Sequence, residues 1–224
     1  MSDHGVITRV VLLRHGRTAW NAERRMQGRL DPPLDEAGQA QAAQVAPAVA
    51  AFDPVVLVSS DLTRALQTAL AVGEAAGLEP RKEPRLRETD VGQWQGLVDS
   101  EVEAGWPGGL DRWRAEATFA PPGGESRVEA AERALPVLYE VAGAPEPGTV
   151  GDTAVLVAHG ATIMALTCAF LGWPVEQWPS LGPLGNCRWS ILEFRVDRWC
   201  LAQWGAPHHV NGCGRPGDHQ RPRA

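Results

Sequence analysis

The sequence predicts an α/β protein: a three-layer α/β/α sandwich with a mostly parallel central sheet. Two observations carry that expectation. Short apolar runs alternate with longer helical patterns along the chain, the order that successive βα units impose. Three of the runs also break off abruptly in polar residues, at LLRHG, VSSDLTR and LVAHG, as buried parallel strands do at the rim of their sheet. With 224 residues, 44% hydrophobic and 21% charged, the chain can bury one sizeable core. A single domain is therefore expected over residues 1–205, with a lid-like excursion at about 95–125 and a flexible C-terminal tail at 206–224.

The first strand is expected at Val6–Leu13, running straight into Arg14 and His15. Gly16 then breaks the run, and a helix is expected at Gly16 or soon after. Leu34-Asp35-Glu36 opens an Ala-rich helix to about Ala51, with Asp35 as N-cap and Pro47 as a residue that would kink it. Val55–Val58 is the second strand. Asp61 is placed as the cap of a helix with Leu62, Ala65, Leu66, Ala69 and Leu70 on one face, stopped by Gly77. Pro84–Leu86 reads as extended, and residues 95 to 125, rich in Gly, Pro and Trp, as an irregular excursion over the surface rather than core. A helix from Ser126 over Val128–Val141 follows, then a third buried strand at Thr153–Ala158. The next helix runs from Gly160 to Leu171 and ends at Gly172 and Pro174. Cys187–Phe194 and Val196–Trp204 flank a short turn at Arg195–Arg198 and pair at the sheet edge.

Composition removes several function classes. A net charge of −6 argues against sequence-independent nucleic-acid binding, which needs a basic face. No apolar run approaches the ~20 residues that cross a bilayer. MSDHGVITRV lacks a charged-then-apolar signal pattern, so a soluble, cytoplasmic protein is expected, with no nucleic acid and no membrane among its partners. Cys168, Cys187, Cys200 and Cys213 are too dispersed for a metal knuckle, and Cys168, in an apolar run, is expected as a buried free thiol. His208, His209, Cys213 and His219 could ligate a metal on paper, but GCGRPGDHQRPRA reads as a frayed end.

The chemistry lies at the three strand ends. Ligands of open α/β sheets bind outside the carboxyl ends of the strands, so Arg14, His15, Arg64 and His159 can converge on one pocket. Two guanidinium forks beside free helix N-termini suit a dianion, and phosphate is the economical choice. No GxxxxGK[ST], no Cys with an Arg six residues on and no HExxH is present, which leaves the histidines to do chemistry. A neutral imidazole attacks phosphorus, and flanking arginines favour the neutral form of His15. Glu88, in RLRETDVGQWQG, is the candidate proton donor, because a carboxyl beside a bound dianion holds its proton. Singly each residue is unremarkable, Arg-His-Gly as a surface loop and His159 as a core histidine. Together they place four chemical groups at one edge of one sheet.

These segments are similar to those of the histidine phosphatase superfamily, also called phosphoglycerate mutase-like. LRHGRTAWN resembles the family's RHGxTxxN, with Gln27-Gly28 as its usual QG step. SSDLTRALQTA resembles its second Arg segment, RLRETDVGQWQG its Glu segment and AHG its second His, over about Val10 to Trp189. The resemblance implies that His15 accepts the phosphoryl group and that Glu88 is the acid/base. It implies a catalytic role for His159 as well, in binding the phosphoryl group with Arg14 and Arg64, while Thr18, Asn21, Gln27, Gly28 and Gly160 contact substrate. No cofactor and no metal are implied. Mutases of the family read ERxYGxLxG where this chain has RETDVGQWQG, so the phosphatase branch is expected. Within it, PPGGESRVEAA and WPSLGPLGNCRW resemble the glucosyl-3-phosphoglycerate phosphatases.

The expected activity is thus a metal-independent phosphomonoesterase acting through phosphohistidine on a sugar phosphate or phosphoglycerate derivative. A bisphosphoglycerate-dependent mutase is the alternative, and a non-catalytic phospholigand-binding module the remote one. The expected partner is a small phosphorylated substrate, with a homodimer left open. Trp94, Trp106 and Trp113 could stack on a sugar or pack the lid onto the sheet, and the packing reading is the stronger.

Overall fold

Apolar residues on both faces of a strand demand cover on both sides, and that requirement organises the chain. The computed structural model describes residues 5–206. The strands are β1 (Ile7–Arg14), β2 (Pro54–Ser59), β3 (Arg81–Lys82), β4 (Asp152–Ala158), β5 (Trp189–Arg195) and β6 (Arg198–Ala206). They form one six-stranded sheet in the order β3-β2-β4-β1-β5-β6. The first four are parallel, while β5 runs antiparallel to β1 and β6 antiparallel to β5. The two-residue edge strand β3 was not expected. It is too short and too charged to show a strand period. The expected tail, with His208, His209, Cys213 and His219, lies outside the described residues except for Ala206, which ends β6.

Seven helices complete the described layers: α1 (Ala19–Ala22), α2 (Glu36–Ala50), α3 (Thr63–Ala76), α4 (Asp99–Gly105), α5 (Gly109–Ala115), α6 (Arg127–Ala142) and α7 (Gly160–Phe170). Strand parity sorts the core. Val10, Leu12, Ala154 and Leu156 face α6 and α7, packing on Val137, Leu138, Ile163 and Leu166. Val11, Leu13, Val155 and Val157 face α2 and α3, against Val45, Val49, Ala65 and Val72. Cys168 is buried and free, as expected.

Local chemistry accounts for most helix ends. The Asp35 carboxylate accepts from Gly38 N at 2.7 Å, and α2 continues unbroken through Pro47. Ser126 and Glu129 cap α6 reciprocally, and Gly77, at φ +70°, ends α3 in the left-handed conformation. Asp61 does not cap α3. Its carboxylate is taken by the Arg87 guanidinium at 2.8 Å through Nε. Asp31 occupies the cap instead, accepting from Thr63 N and Thr63 Oγ1, both at 2.7 Å. Pro84–Leu86 is a 3-10 turn rather than an extended segment, and its first N–H, that of Arg85, donates to the Glu83 carboxylate.

The excursion at 95–125 is more ordered than its composition suggests. It carries α4 and α5, and Trp94, Val91, Val102 and Leu110 form a separate small core under it. Seven-residue helices are too short to display a 3.6-residue period, which is why sequence reading takes the segment for loop. Trp94 is fully buried there, against Trp106, Trp113 and Phe119. Gly16 has a packing reason as well. A Cβ on it would meet the Gly38 carbonyl at 2.5 Å, so glycine at both positions lets the loop after β1 lie on the first turn of α2.

Parallel register finishes the arrangement. Arg14 stands beside Ala158 and Ser59 beside Val157, so the strands β1, β2 and β4 end level. The next residues, His15, Ser60 and His159, are thereby forced side by side.

Candidate active site

At these level ends His15 and His159 lie with ring centroids 5.1 Å apart. His15 Nδ1 is 2.7 Å from the carbonyl oxygen of its own neighbour, Gly16. Only a protonated Nδ1 can donate there, so Nε2 carries the lone pair of the neutral ring. His159 Nε2 sits 2.8 Å from Ser60 Oγ, and its Nδ1 has no partner.

Two buried guanidinium groups flank the imidazoles. Arg14, the last residue of β1, bonds the Leu184 carbonyl. Gly160 makes room for it, since a Cβ there would lie 3.4 Å from the guanidinium. Arg64, in the first turn of α3, is fully buried and donates to the carbonyls of Gly28 and Leu30, each at 2.8 Å. Two carboxylates act on it without bonding it closely: Glu88 across the cavity and Asp31 at 3.9 Å. Backbone acceptors orient both cations without neutralising them, so both remain available to an anion.

Glu88 forms another wall. Its Oε1 accepts from Thr162 N and Thr162 Oγ1, both at 3.1 Å, and from Thr89 N at 2.9 Å. Oε2 accepts weakly from Ala161 N at 3.4 Å. The Ala161 and Thr162 amides in the first turn of α7 are thus spent on the carboxylate. Arg133 braces Glu88 from behind, donating to its carbonyl and to the Glu125 carboxylate.

A cavity of about 190 Å³ opens over these groups, lined by Arg14, His15, Asn21, Gln27, Gly28, Arg64 and Glu88. Thr18 and His159 do not line it. Thr18 is buried, caps α1 through Asn21 N at 3.1 Å and donates its hydroxyl to Gln27 at 3.1 Å. It sets the positions of Asn21 and Gln27 from beneath. His159 supports His15 from the adjoining strand. Among the described residues no group of three His, Cys, Asp or Glu side chains is arranged to hold a metal ion, and no helix is long and apolar enough to cross a membrane.

Comparison with known proteins follows this geometry. Residues 10–207 match the profile of the histidine phosphatase superfamily, branch 1. The chain belongs to that superfamily. It is 45% identical over 215 residues to the glucosyl-3-phosphoglycerate phosphatase of Mycobacterium tuberculosis H37Rv, covering 91% of this chain and 96% of that one. The solved mycobacterial glucosyl-3-phosphoglycerate phosphatase with VO3 superposes with a TM-score of 0.84 at 45% identity, covering 89% of this chain and all of that one. A probable phosphoglycerate mutase of Enterobacter sp., GpmB, is 36% identical, covering 87% of this chain and 89% of its own length.

Burial and charge set the protonation of this histidine phosphatase. Burial, then the Arg14 and Arg64 charges, holds the His15 pKa well below the usual histidine value, despite the opposing bond to Gly16. His159 is likewise held well below, by burial first and then by Arg64. Burial lowers Arg64 to about 10, still fully charged at neutral pH.

A pH dependence of stability follows from the two histidines. With folded pKa values depressed, the unfolded chain binds protons that the folded one refuses. Their contribution is complete above the unfolded pKa of ~6.5 and is lost as pH falls below it, at up to ~1.4 kcal/mol per pH unit for each ring. The melting temperature is expected to fall from pH 7 to pH 5, before the carboxylates titrate, and His15→Asn should make that slope shallower. Equal slopes in both proteins would show that His15 is not one of the groups responsible.

Sequence reading missed several members of the site. Ser60 positions His159, Thr162 holds Glu88, and Asn186 donates to the carbonyls of His15 and Gly16 and to Asn21 Oδ1 at 3.1, 3.2 and 3.2 Å. Ser60 lies in VSSDLTR and Asn186 in WPSLGPLGNCRW, both already marked, and Thr162 two residues beyond LVAHG, but no residue pattern names the partner across the fold. Of the three tryptophans, Trp94 packs the excursion, whereas Trp113 lines the cavity.

Proposed function

We propose that this histidine phosphatase is a phosphoric monoester hydrolase working through a phosphohistidine at His15. One observation carries the reading. His15 is neutral, its Nδ1–H is spent on Gly16, and its Nε2 lone pair is left in a cavity between two guanidinium groups whose hydrogen bonds go to backbone carbonyls.

In the first step His15 Nε2 forms a bond to phosphorus as the ester P–O bond breaks in line with it. Glu88 gives its proton to the departing alkoxide, so an alcohol leaves. Arg14 and Arg64 offset charge on the equatorial oxygens, Asn21 adds an oxygen contact, and His159 supports His15 from the adjoining strand. In the second step the Glu88 carboxylate takes a proton from water, the resulting oxygen attacks phosphorus, and the P–N bond breaks. Inorganic phosphate departs and Glu88 is again protonated.

The substrate class is a phosphorylated small acid or sugar, and glucosyl-3-phosphoglycerate, the substrate in the name of the 45%-identical relatives, is the first candidate. A second chamber of about 470 Å³ adjoins the first and shares Arg14, Glu88, Trp113 and Ala161 with it. That is more room than a three-carbon acid fills, and it suits a leaving group carrying a sugar. Hydrolysis is favoured over mutase chemistry by the higher identity to phosphatases and by RETDVGQWQG, which lacks the tyrosine of the mutase segment.

The test is a panel of sugar phosphates and phospho-acids ranked by kcat/KM, with and without EDTA. Stoichiometric phosphate release at a rate unaffected by chelator is expected. Isomerisation of 3-phosphoglycerate without phosphate release would establish the mutase instead, and chelator inhibition would remove the metal-independent mechanism.

A further inference from the structure

The second chamber contains a cation that the phosphoryl chemistry does not use. Arg127, at the first position of α6, is only 7% exposed, yet it lines this chamber. Its Nε has no partner, and its Nη1 reaches only the Arg114 carbonyl, at the weak distance of 3.5 Å. The guanidinium carbon lies 4.5 Å from the centroid of the Trp113 ring, which fixes the plane of the fork. Neighbouring arginines are committed differently. Arg29 pairs with Glu125, Arg114 with Asp99 at 2.7 Å and Arg133 with Glu125 at 2.7 Å. No carboxylate pairs with Arg127 among the described residues.

An unpaired buried cation is costly unless an anion completes it. Arg14 and Arg64 already face the phosphoryl dianion, so Arg127 answers to another charge on the same substrate. Its position selects which part. The chamber shares Glu88 with the phosphoryl pocket, and Glu88 protonates the departing oxygen, so the chamber holds the leaving group. Arg14 and Arg114 also line the chamber, but Arg14 faces the phosphoryl pocket as well and Arg114 is paired with Asp99, while Met164, Pro179, Leu181 and Leu184 offer an anion nothing. One fork with one face covered by indole matches a planar, singly charged carboxylate. A second phosphate would bring two charges to the one uncommitted cation of the chamber, beside Glu88.

We propose that Arg127, seated on Trp113, is a specificity-determining residue that binds a carboxylate on the leaving alcohol. The enzyme is thereby set for phosphate esters of hydroxy acids over those of neutral polyols. This assignment rests on the phosphomonoesterase reading.

The test compares kcat/KM for 3-phosphoglycerate with that for glycerol 3-phosphate, which has a similar skeleton without the carboxylate. The wild type is expected to prefer the acid by about 10- to 100-fold, the worth of a charge-assisted fork. In Arg127→Met, which keeps the stacking bulk, the ratio should fall to within about threefold of one, and Arg127→Lys, which restores the charge without the fork, should lie between. A wild type with no preference overturns the assignment even if the variants fail to fold. So does a Met variant that slows both esters in proportion, since that is the signature of a structural cation. Preference for 2,3-bisphosphoglycerate over 3-phosphoglycerate, abolished in the Met variant, would assign Arg127 to a second phosphate and overturn the carboxylate. p-Nitrophenyl phosphate separates the two levels. If it is hydrolysed without any preference for the acid, only the Arg127 assignment falls; if no ester is hydrolysed, the phosphomonoesterase reading falls and takes this one with it.

Discussion

His15→Ala is expected to lower kcat by about 10⁴- to 10⁶-fold, the range seen when a covalent nucleophile is deleted. The fold should survive. The imidazole bonds only the adjacent Gly16 carbonyl, and the strand that carries it is held by the β1–β4 and β1–β5 ladders. Burial of that ring beside two guanidinium groups depresses its pKa, so its removal also relieves an acid-sensitive position. Three measurements check the outcome together. Phosphate release should vanish, the circular dichroism spectrum should be unchanged, and an acid-labile, base-stable phosphoenzyme should be trapped from the wild type alone. Turnover within about tenfold of wild type would be incompatible with a nucleophile whose loss costs orders of magnitude.

Glu88→Gln carries the second large effect, and it should depend on the leaving group. For an alkyl phosphate the departing oxygen needs a proton, so a loss of about 10²- to 10⁴-fold is expected. p-Nitrophenolate departs without one. With that substrate the first step is spared while hydrolysis of the phosphohistidine, which needs the carboxylate as base, remains slow. The variant should therefore release a burst of p-nitrophenol equal to the enzyme concentration, followed by a slow phase. Gln keeps one acceptor oxygen for the Thr162 amide, so the α7 terminus is not expected to unravel. Identical losses on both esters, with no burst, would remove Glu88 from proton transfer and leave it a positioning role.

Both variants concern residues legible in the sequence, and the reason is chemical. Arg-His after a buried strand, a second His after another, and an Arg one turn into a helix are residue types that phosphoryl transfer requires at places where a sheet exposes them. The strands were legible too, because β1, β2 and β4 are covered on both faces and so read as continuous apolar runs. Gly77 announces the end of α3 and Ser126 the start of α6, through interactions only a few residues long.

What was misread is non-local. Asp61 stands where an N-cap would, yet Arg87, 26 residues on, takes it, and Asp31, 32 residues before Thr63, supplies the cap. The Ala161 and Thr162 amides of α7 look free until Glu88, 74 residues before Thr162, closes on them. Pro84–Leu86 and the two short helices of the excursion are stabilised by packing around Trp94 and Leu86 rather than by any period of their own.

From residue order alone come the candidate reacting groups, their strands and the candidate acid, since each follows from side-chain type and local hydrophobic pattern. Which cations stay unpaired comes from the assembled chain. Arg114, Arg127 and Arg133 are indistinguishable as letters. Folding gives Arg114 to Asp99 and Arg133 to Glu125, and leaves Arg127 buried on an indole, facing a chamber, with no carboxylate bonded to it among the described residues. Pairing of charges is a property of distance in three dimensions, and distance is set by the packing of the whole core.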